Sequence, residues 1–179
     1  MKLKALFAVL ILTLTVFSGC SASGTDIEAP DGMKLFSNEH TDYTAFVPVS
    51  WTVDMSTGTL SAYVSSADAS SVVITAQMLG QDDPKTLDGY WKRYEENFNS
   101  TFKEFEYVGE APTTTTLSGE PANKYVYTAK LGDNQYKFMQ VVVIREMTVY
   151  VITYTSTPEG YDANLEDVEK ILDNFSFNK

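Results

Sequence analysis

Residues Val149 to Thr155 read VYVITYT. In an extended chain successive side chains point to opposite faces, so Tyr150, Ile152 and Tyr154 share one face and Val149, Val151 and Thr153 the other. Ser71 to Met78 (SVVITAQM) has the same character, with Val72, Ile74, Ala76 and Met78 opposing Val73, Thr75 and Gln77. A strand that is apolar on both faces belongs in a sheet covered on both sides.

Working outward, most neighbouring strand signals are separated by turns of hairpin length. Lys34–Ser37 and Tyr43–Val47 flank the polar turn Asn38–Asp42, and Leu60–Ser65 and Ser71–Met78 flank Ser66–Ala69. Further strand signals are Glu106–Glu110, Thr113–Leu117, Tyr125–Ala129 and Gln135–Ile144. Turns are expected at Gly119 with Pro121, at Gly132–Asn134 and at Arg145–Met147. Such short links make a mainly antiparallel sheet. Two helices interrupt the strands. Leu87, Tyr90, Trp91, Tyr94, Phe98, Thr101, Phe102 and Phe105 recur at three- and four-residue spacing, with Thr86 as the expected N-cap. Leu165, Val168, Ile171, Leu172 and Phe175 give a second helix over about Asn164–Asn174, with Asn164 and Asp167 as a capping pair. These elements predict an α+β chain: an α/β/α sandwich whose mainly antiparallel sheet carries helices on both faces.

Composition narrows the function. Of 179 residues, 44% are hydrophobic and 21% charged, which excludes a disordered or polytopic membrane chain. The 24 acidic and 13 basic side chains leave a net charge of −11, and no local basic patch offsets it, so nucleic-acid binding is not expected. One Cys excludes an intrachain disulfide and multi-Cys metal sites, and one His excludes a His cluster.

The N-terminus reads as an address. Lys2 and Lys4 precede an uncharged apolar run of 13 residues, Ala5–Phe17. That is short of the roughly 20 residues a membrane-spanning helix needs and fits a secretory signal. Phe17-Ser18-Gly19-Cys20 resembles the lipobox of bacterial lipoproteins, with Phe17 in place of the usual Leu. The resemblance implies a diacylglyceryl thioether on Cys20 and cleavage just before it, leaving 160 residues. Two acyl chains anchor a protein stably where one does so only reversibly. The mature chain keeps 11 basic and 24 acidic residues, a net charge of −13. The expected organisation is a signal over 1–19, a tether over 20–32 and a single domain over 33–179. The tether SASGTDIEAPD is small, polar and broken by Gly24 and Pro30, and as a random coil it spans on the order of 18 Å.

Within the domain, Phe46-Val47-Pro48-Val49-Ser50-Trp51 resembles the "aromatic-x-Pro-x-Gly-Trp" opening of PsbP-like proteins, with Ser50 in place of the usual Gly. Gly119-Glu120-Pro121-Ala122 with Tyr125 and Tyr127, Gln140–Val143, Tyr150–Tyr154 and the closing Phe175-Ser176-Phe177 follow in the same order, so the resemblance covers about Met33 to Phe177. That family shares its fold with a Ran-binding nuclear-import factor. The resemblance implies a non-catalytic binding or assembly module. The PsbP proteins of photosystem II are accessory subunits, the import factor binds a GTPase, and no motif here carries over the photosystem role.

Residues with chemical potential form no constellation in the sequence. His40 lies in a polar turn between Glu39 and Asp42, without a nucleophile that would make it a base. Gln81-Asp82-Asp83 with Asp88 lacks the spacing of a calcium loop and suits the approach to a helix N-terminus. Thr113–Thr116 reads as an edge strand. No Gly-x-Ser-x-Gly elbow and no phosphate loop is present, so no enzyme activity, metal or cofactor is expected. The aromatic stripe at Tyr90, Trp91, Tyr94 and Phe98 reads as core, with a ligand pocket between helix and sheet as the alternative. The expected function is a lipid-anchored module on the extracytoplasmic side of a bacterial membrane. It is held there through Cys20 and binds a protein partner at the envelope. The alternative is a lipoprotein that binds a small molecule or ion in that pocket.

Overall fold

The computed structural model describes residues 27–56 and 59–178. The signal segment, Cys20 and the first part of the tether lie outside the described residues. In chain order the elements are β1 (Met33–Leu35), β2 (Tyr43–Thr44), β3 (Phe46–Pro48), β4 (Thr52–Asp54), β5 (Leu60–Tyr63), β6 (Ser71–Met78) and α1 (Leu87–Thr101). Then follow β7 (Lys103–Tyr107), β8 (Thr113–Leu117), β9 (Glu120–Leu131), β10 (Asn134–Arg145), β11 (Thr148–Ser156), a short 3-10 turn (Asp162–Asn164), α2 (Leu165–Asp173) and β12 (Ser176–Phe177).

The main sheet runs β4-β5-β6-β11-β10-β9-β7, and β8 joins β9 beside β7. Every pairing among the described residues is antiparallel. The chain makes both expected hairpins: β1 meets β3 with Lys34 opposite Val47, and β5 meets β6 with Ala62 opposite Val72. Two short pairs, β1–β3 and β2–β12, stand apart from the main sheet, and the second sets Ser176–Phe177 beside Tyr43–Thr44.

Buried side chains gather in two clusters. Val149 and Val151 join Trp91 and Phe98 of α1 together with Tyr125, Tyr127, Phe138 and Val142. Tyr150, Ile152 and Tyr154, the alternate residues of the same strand, join Val168 and Ile171 of α2 with Trp51 and Phe175. The alternation of VYVITYT is therefore satisfied by a separate apolar neighbourhood on each face.

Local details correct the sequence reading at four points. α1 stops at Thr101, and Phe102 turns extended (φ −99°, ψ 144°), so Phe105 belongs to β7 rather than to the helical stripe. Phe105 still meets the same cluster, with its ring 4.8 Å from that of Tyr127, because helix and strand face a shared core. Asn164 makes no capping bond to α2: it ends the 3-10 turn that leads straight into the helix, and its side-chain N–H donates to Asp68 (3.0 Å). Pro121 lies inside β9, and the turn before it is Ser118-Gly119, with φ of 53° and 82°. Ser50 is not among the residues with positive φ, so the turn closed by Trp51 N–H on Pro48 C=O (3.0 Å) does not require the glycine usual in PsbP-like chains. Thr86 does cap α1, its hydroxyl accepting from Gly89 N–H (3.2 Å). A side chain at Gly89 would meet Pro84 and Thr86 at 2.9 Å, so this first turn closes tightly only around glycine.

Candidate functional site

α1 packs against β7, β9 and β10, and Val149 and Val151 of β11 reach the same cluster. The aromatic stripe of α1 divides in two. Trp91 and Phe98 are buried, and the Trp91 ring lies parallel to Tyr125 at 3.6 Å. Its indole N–H donates to the Tyr107 hydroxyl (2.7 Å). Phe102, Phe105, Tyr127 and Phe138 complete the packing. Tyr90 and Tyr94, one turn apart and stacked at 5.8 Å, are only half-buried. They overhang a groove of about 390 Å³ whose floor and far wall come from Thr59, Ile74–Gln77, Val149 and Val151. A smaller recess of about 170 Å³ continues from Gln77, Tyr90 and Tyr94 to Asp83, Arg93 and Asn97. The larger groove is thus flanked by hydroxyls, an amide and aliphatic carbons, with no ionisable carboxylate or amine on its walls.

Polar groups beneath the helix are satisfied internally. Gln140, 2% exposed, accepts from the Tyr127 hydroxyl (3.0 Å) and donates to Thr153 Oγ1 (2.9 Å), bridging β9, β10 and β11. Asn123 donates to Asp88 (3.1 Å) and to the Tyr125 hydroxyl (3.2 Å). No buried side-chain nitrogen or oxygen among the described residues lacks a partner.

The residues singled out in the sequence are dispersed. His40 sits in the exposed β1–β2 turn, 3.7 Å from Glu39. Asp83 is held by Arg93 (2.7 Å) and by Gly80 N–H (2.6 Å), while Asp88 turns toward Asn123, so these acids do not converge. Among the described residues no three His, Cys, Asp or Glu side chains gather, and no helix is long and apolar enough to cross a membrane. Thr113–Leu117 is the edge strand β8. The sequence reading did not find the sheet wall of the groove. Thr75 and Gln77 looked like one face of a covered strand, yet Thr75–Met78 are all exposed.

Burial, ahead of neighbouring charge, pushes the phenols of Tyr43, Tyr90 and Tyr150 up to about 12 and raises Tyr127 and Tyr161 as well. The folded chain therefore holds these protons more tightly than the unfolded chain, whose phenols titrate near 10.0. Their contribution to stability is complete below that value and is lost as the pH rises toward about 12. Alkaline titration is expected to show phenolate absorbance rising together with loss of circular dichroism across that window. Ionisation of most tyrosines near the lower value with the dichroism intact would contradict the packing described here.

A family model described as DcrB matches residues 46–174, from β3 through α2, and so takes in the α1 cluster, most of the α2 cluster and the groove. The chain belongs to the DcrB family. No curated protein sequence matches it. Solved structures show how widely the fold of this DcrB-family chain is shared. Cyanobacterial PsbP (CyanoP) from Synechocystis sp. PCC 6803 aligns over 90% of this chain and 98% of its own, at 11% identity and a TM-score of 0.61. The Ran-binding protein Mog1p of Saccharomyces cerevisiae aligns over 81% and 95%, at 11% identity and a TM-score of 0.56. LpqN of Mycobacterium tuberculosis, a protein involved in cell envelope biogenesis, aligns over 86% and 83%, at 15% identity and a TM-score of 0.51. At such identities the likeness is one of fold, and the fold is PsbP-like.

Proposed function

We propose that this DcrB-family protein is a lipid-anchored, extracytoplasmic binding or assembly module without catalysis, attached through Cys20 and engaging a protein partner at the bacterial envelope. The observation that carries this reading is the closed interior. Trp91, Phe98, Tyr125, Tyr127 and Phe138 fill the space between α1 and the sheet, where an enclosed ligand site would otherwise lie. The division of β11 side chains between the α1 cluster and the α2 cluster supports an α/β/α sandwich with helices on both faces, the packed form such a module needs. The dispersal of His40, Asp83 and Asp88, each tied to a different neighbour, supports the absence of a catalytic centre. The lipobox-like run ending at Cys20 supports the anchor and the extracytoplasmic address. The same fold in LpqN, a protein of envelope biogenesis, is in keeping with it.

The anchor is tested by Cys20→Ala. The variant is expected to leave the membrane fraction after a carbonate wash while keeping the dichroism and melting temperature of the wild type. Recovery of the variant in the pellet at the wild-type level would refute acylation at Cys20. A specific observation also favours the small-molecule alternative: the groove beneath Tyr90 and Tyr94 lies between helix and sheet. Its open form and the absence of buried unpaired polar groups make it the second reading.

A further inference from the structure

Thr75 of β6 lies opposite Val151 of β11, and Gln77 lies opposite Val149. Directly opposed residues share a face, so Thr75 and Gln77 stand on the face whose valines join the α1 cluster. Val149 and Val151 are buried there, whereas Thr75 and Gln77 are exposed. Tyr90 and Tyr94 lie with their rings nearly parallel, at 17°. Together with Gln77 they line both the groove of about 390 Å³ and the recess of about 170 Å³ toward Asp83, Arg93 and Asn97. Thr59 follows residues 57–58, which lie outside the described residues, and the groups that matter here belong to β6, β11, α1 and the loop before it.

Beneath the helix, polar groups bond to one another: Trp91 to Tyr107, Asn123 to Tyr125, and Tyr127 through Gln140 to Thr153. Along the groove they do not. The Gln77 amide and the Tyr90 and Tyr94 hydroxyls have no hydrogen-bond partner among the described residues. Asn97 uses its amide N–H on Arg93 C=O (3.2 Å), which leaves its side-chain oxygen. The ionised groups that line the recess, Arg93 and Asp83, answer each other at 2.7 Å. No unpaired charge is therefore present to hold an ionic ligand, and the net charge of −11 repels anions. A wholly apolar ligand would cover the amide and the phenols without bonding them, which costs free energy. The surface instead suits a ligand with hydroxyls at its edges and C–H groups on its faces. A pyranose ring has that division, since its C–H hydrogens can meet the negative face of an aromatic ring while its hydroxyls bond amides and phenols. The groove is open along its length, and its volume lies within the about 300–1,000 Å³ of ligand sites. Its continuation into the recess gives room for more than one ring.

We propose that the groove under Tyr90 and Tyr94, with the recess beside Arg93, binds an uncharged oligosaccharide. The Gln77 amide and the two phenols bond its hydroxyls, and the Tyr90 ring packs on the C–H face of one sugar. This names a ligand class for the groove and rests on its small-molecule reading, not on the lipid anchor or on a protein partner. It asks for no covalent step, so the chain remains a module without catalysis.

The test titrates cellotetraose, maltotetraose and chitotetraose into the isotope-labelled full chain, kept in a detergent without a sugar headgroup, and follows its NMR signals. At least one of the three is expected to bind and to shift the Gln77 side-chain amide together with Val149 and Val151. Gln77→Ala, at an exposed site that folding does not need, should weaken that sugar about tenfold through the lost hydrogen bonds. Tyr90→Phe keeps the ring and should weaken it less, and Tyr90→Ala should weaken it more. Tetragalacturonic acid, a carboxylated chain of the same length, should bind more weakly than the neutral sugar. Unchanged affinity in Gln77→Ala and Tyr90→Ala, shifts confined to another surface, or tighter binding of the acidic chain would overturn the proposal. A mixture of non-carbohydrate fragments is added to the same sample. Fragments that shift these signals where no sugar does would overturn the saccharide and leave the groove a ligand site, whereas silence from both would overturn the two together.

Discussion

Trp91→Ala is expected to lower the unfolding free energy by about 3–5 kcal/mol, the range for deleting a large aromatic from a packed core. Trp91 stacks on Tyr125 at 3.6 Å, meets the edge of Phe98 at 5.9 Å and donates its indole N–H to Tyr107. Alanine removes the stack and leaves a void between α1 and β9 that the surrounding rings can fill only by leaving their own contacts. Against a typical total of about 5–15 kcal/mol, such a loss threatens folding at 37 °C. Urea denaturation measures it. Trp91→Phe keeps an aromatic ring against Tyr125 and gives up the bond to Tyr107, so its loss should be nearer 1 kcal/mol. A Trp91→Ala midpoint close to the wild type would mean that α1 does not close this face of the sheet.

Trp51→Ala is expected to lose a similar amount, about 3–5 kcal/mol, from the opposite cluster. Trp51 is 2% exposed and lies with Val168 and Ile171 of α2 and the Tyr150–Tyr154 side of β11. The chain has two tryptophans, one per cluster, so each variant leaves a single fluorophore reporting on the other cluster. If the sheet couples the two clusters in one cooperative unit, fluorescence and dichroism should give the same midpoint in both variants. A cluster that melts alone in either variant would show that the two faces fold independently.

The sheet and both helices were legible because their signals are dense and periodic. VYVITYT has no wholly polar face, and its alternate residues divide between the two apolar clusters. The spacing of Tyr90, Trp91, Tyr94 and Phe98 could only be helical. Boundaries were less legible where two elements face one core. Phe105 continued the helical spacing by coincidence, since β7 returns it to the cluster beside Phe98. Asn164 has a side chain suited to a cap, but the 3-10 turn Asp162–Asn164 runs straight into α2, and that continuity is not visible in local composition. The candidate site was half visible. The tyrosines of the stripe were named, but whether a given tyrosine is core or rim depends on where the helix lies across the sheet. That the pairing of β5 with β6 begins at Leu60 opposite Ile74 is a property of the sheet and leaves no trace in local composition.

Gln140 has a bearing on how the sheet avoids misassembly. Around it β10 reads Phe138, Met139, Val141, Val142, Val143 and Ile144, apolar toward both layers. Most strands fix their alignment because a slip of one residue exposes apolar side chains and buries polar ones. Val141–Ile144 of β10 give little such warning against β11, where a slide would exchange one aliphatic contact with Val149–Ile152 for another. The amide changes that. Only in the native alignment does Gln140 meet both the Tyr127 hydroxyl and Thr153. Any slipped alignment strands its donors and acceptors in the dry interior, at about 1–3 kcal/mol for each group left unpaired. One polar side chain thus works as a key cut for a single position of the lock, and the aliphatic wealth that gives these three strands their cohesion is kept from becoming an invitation to mispair.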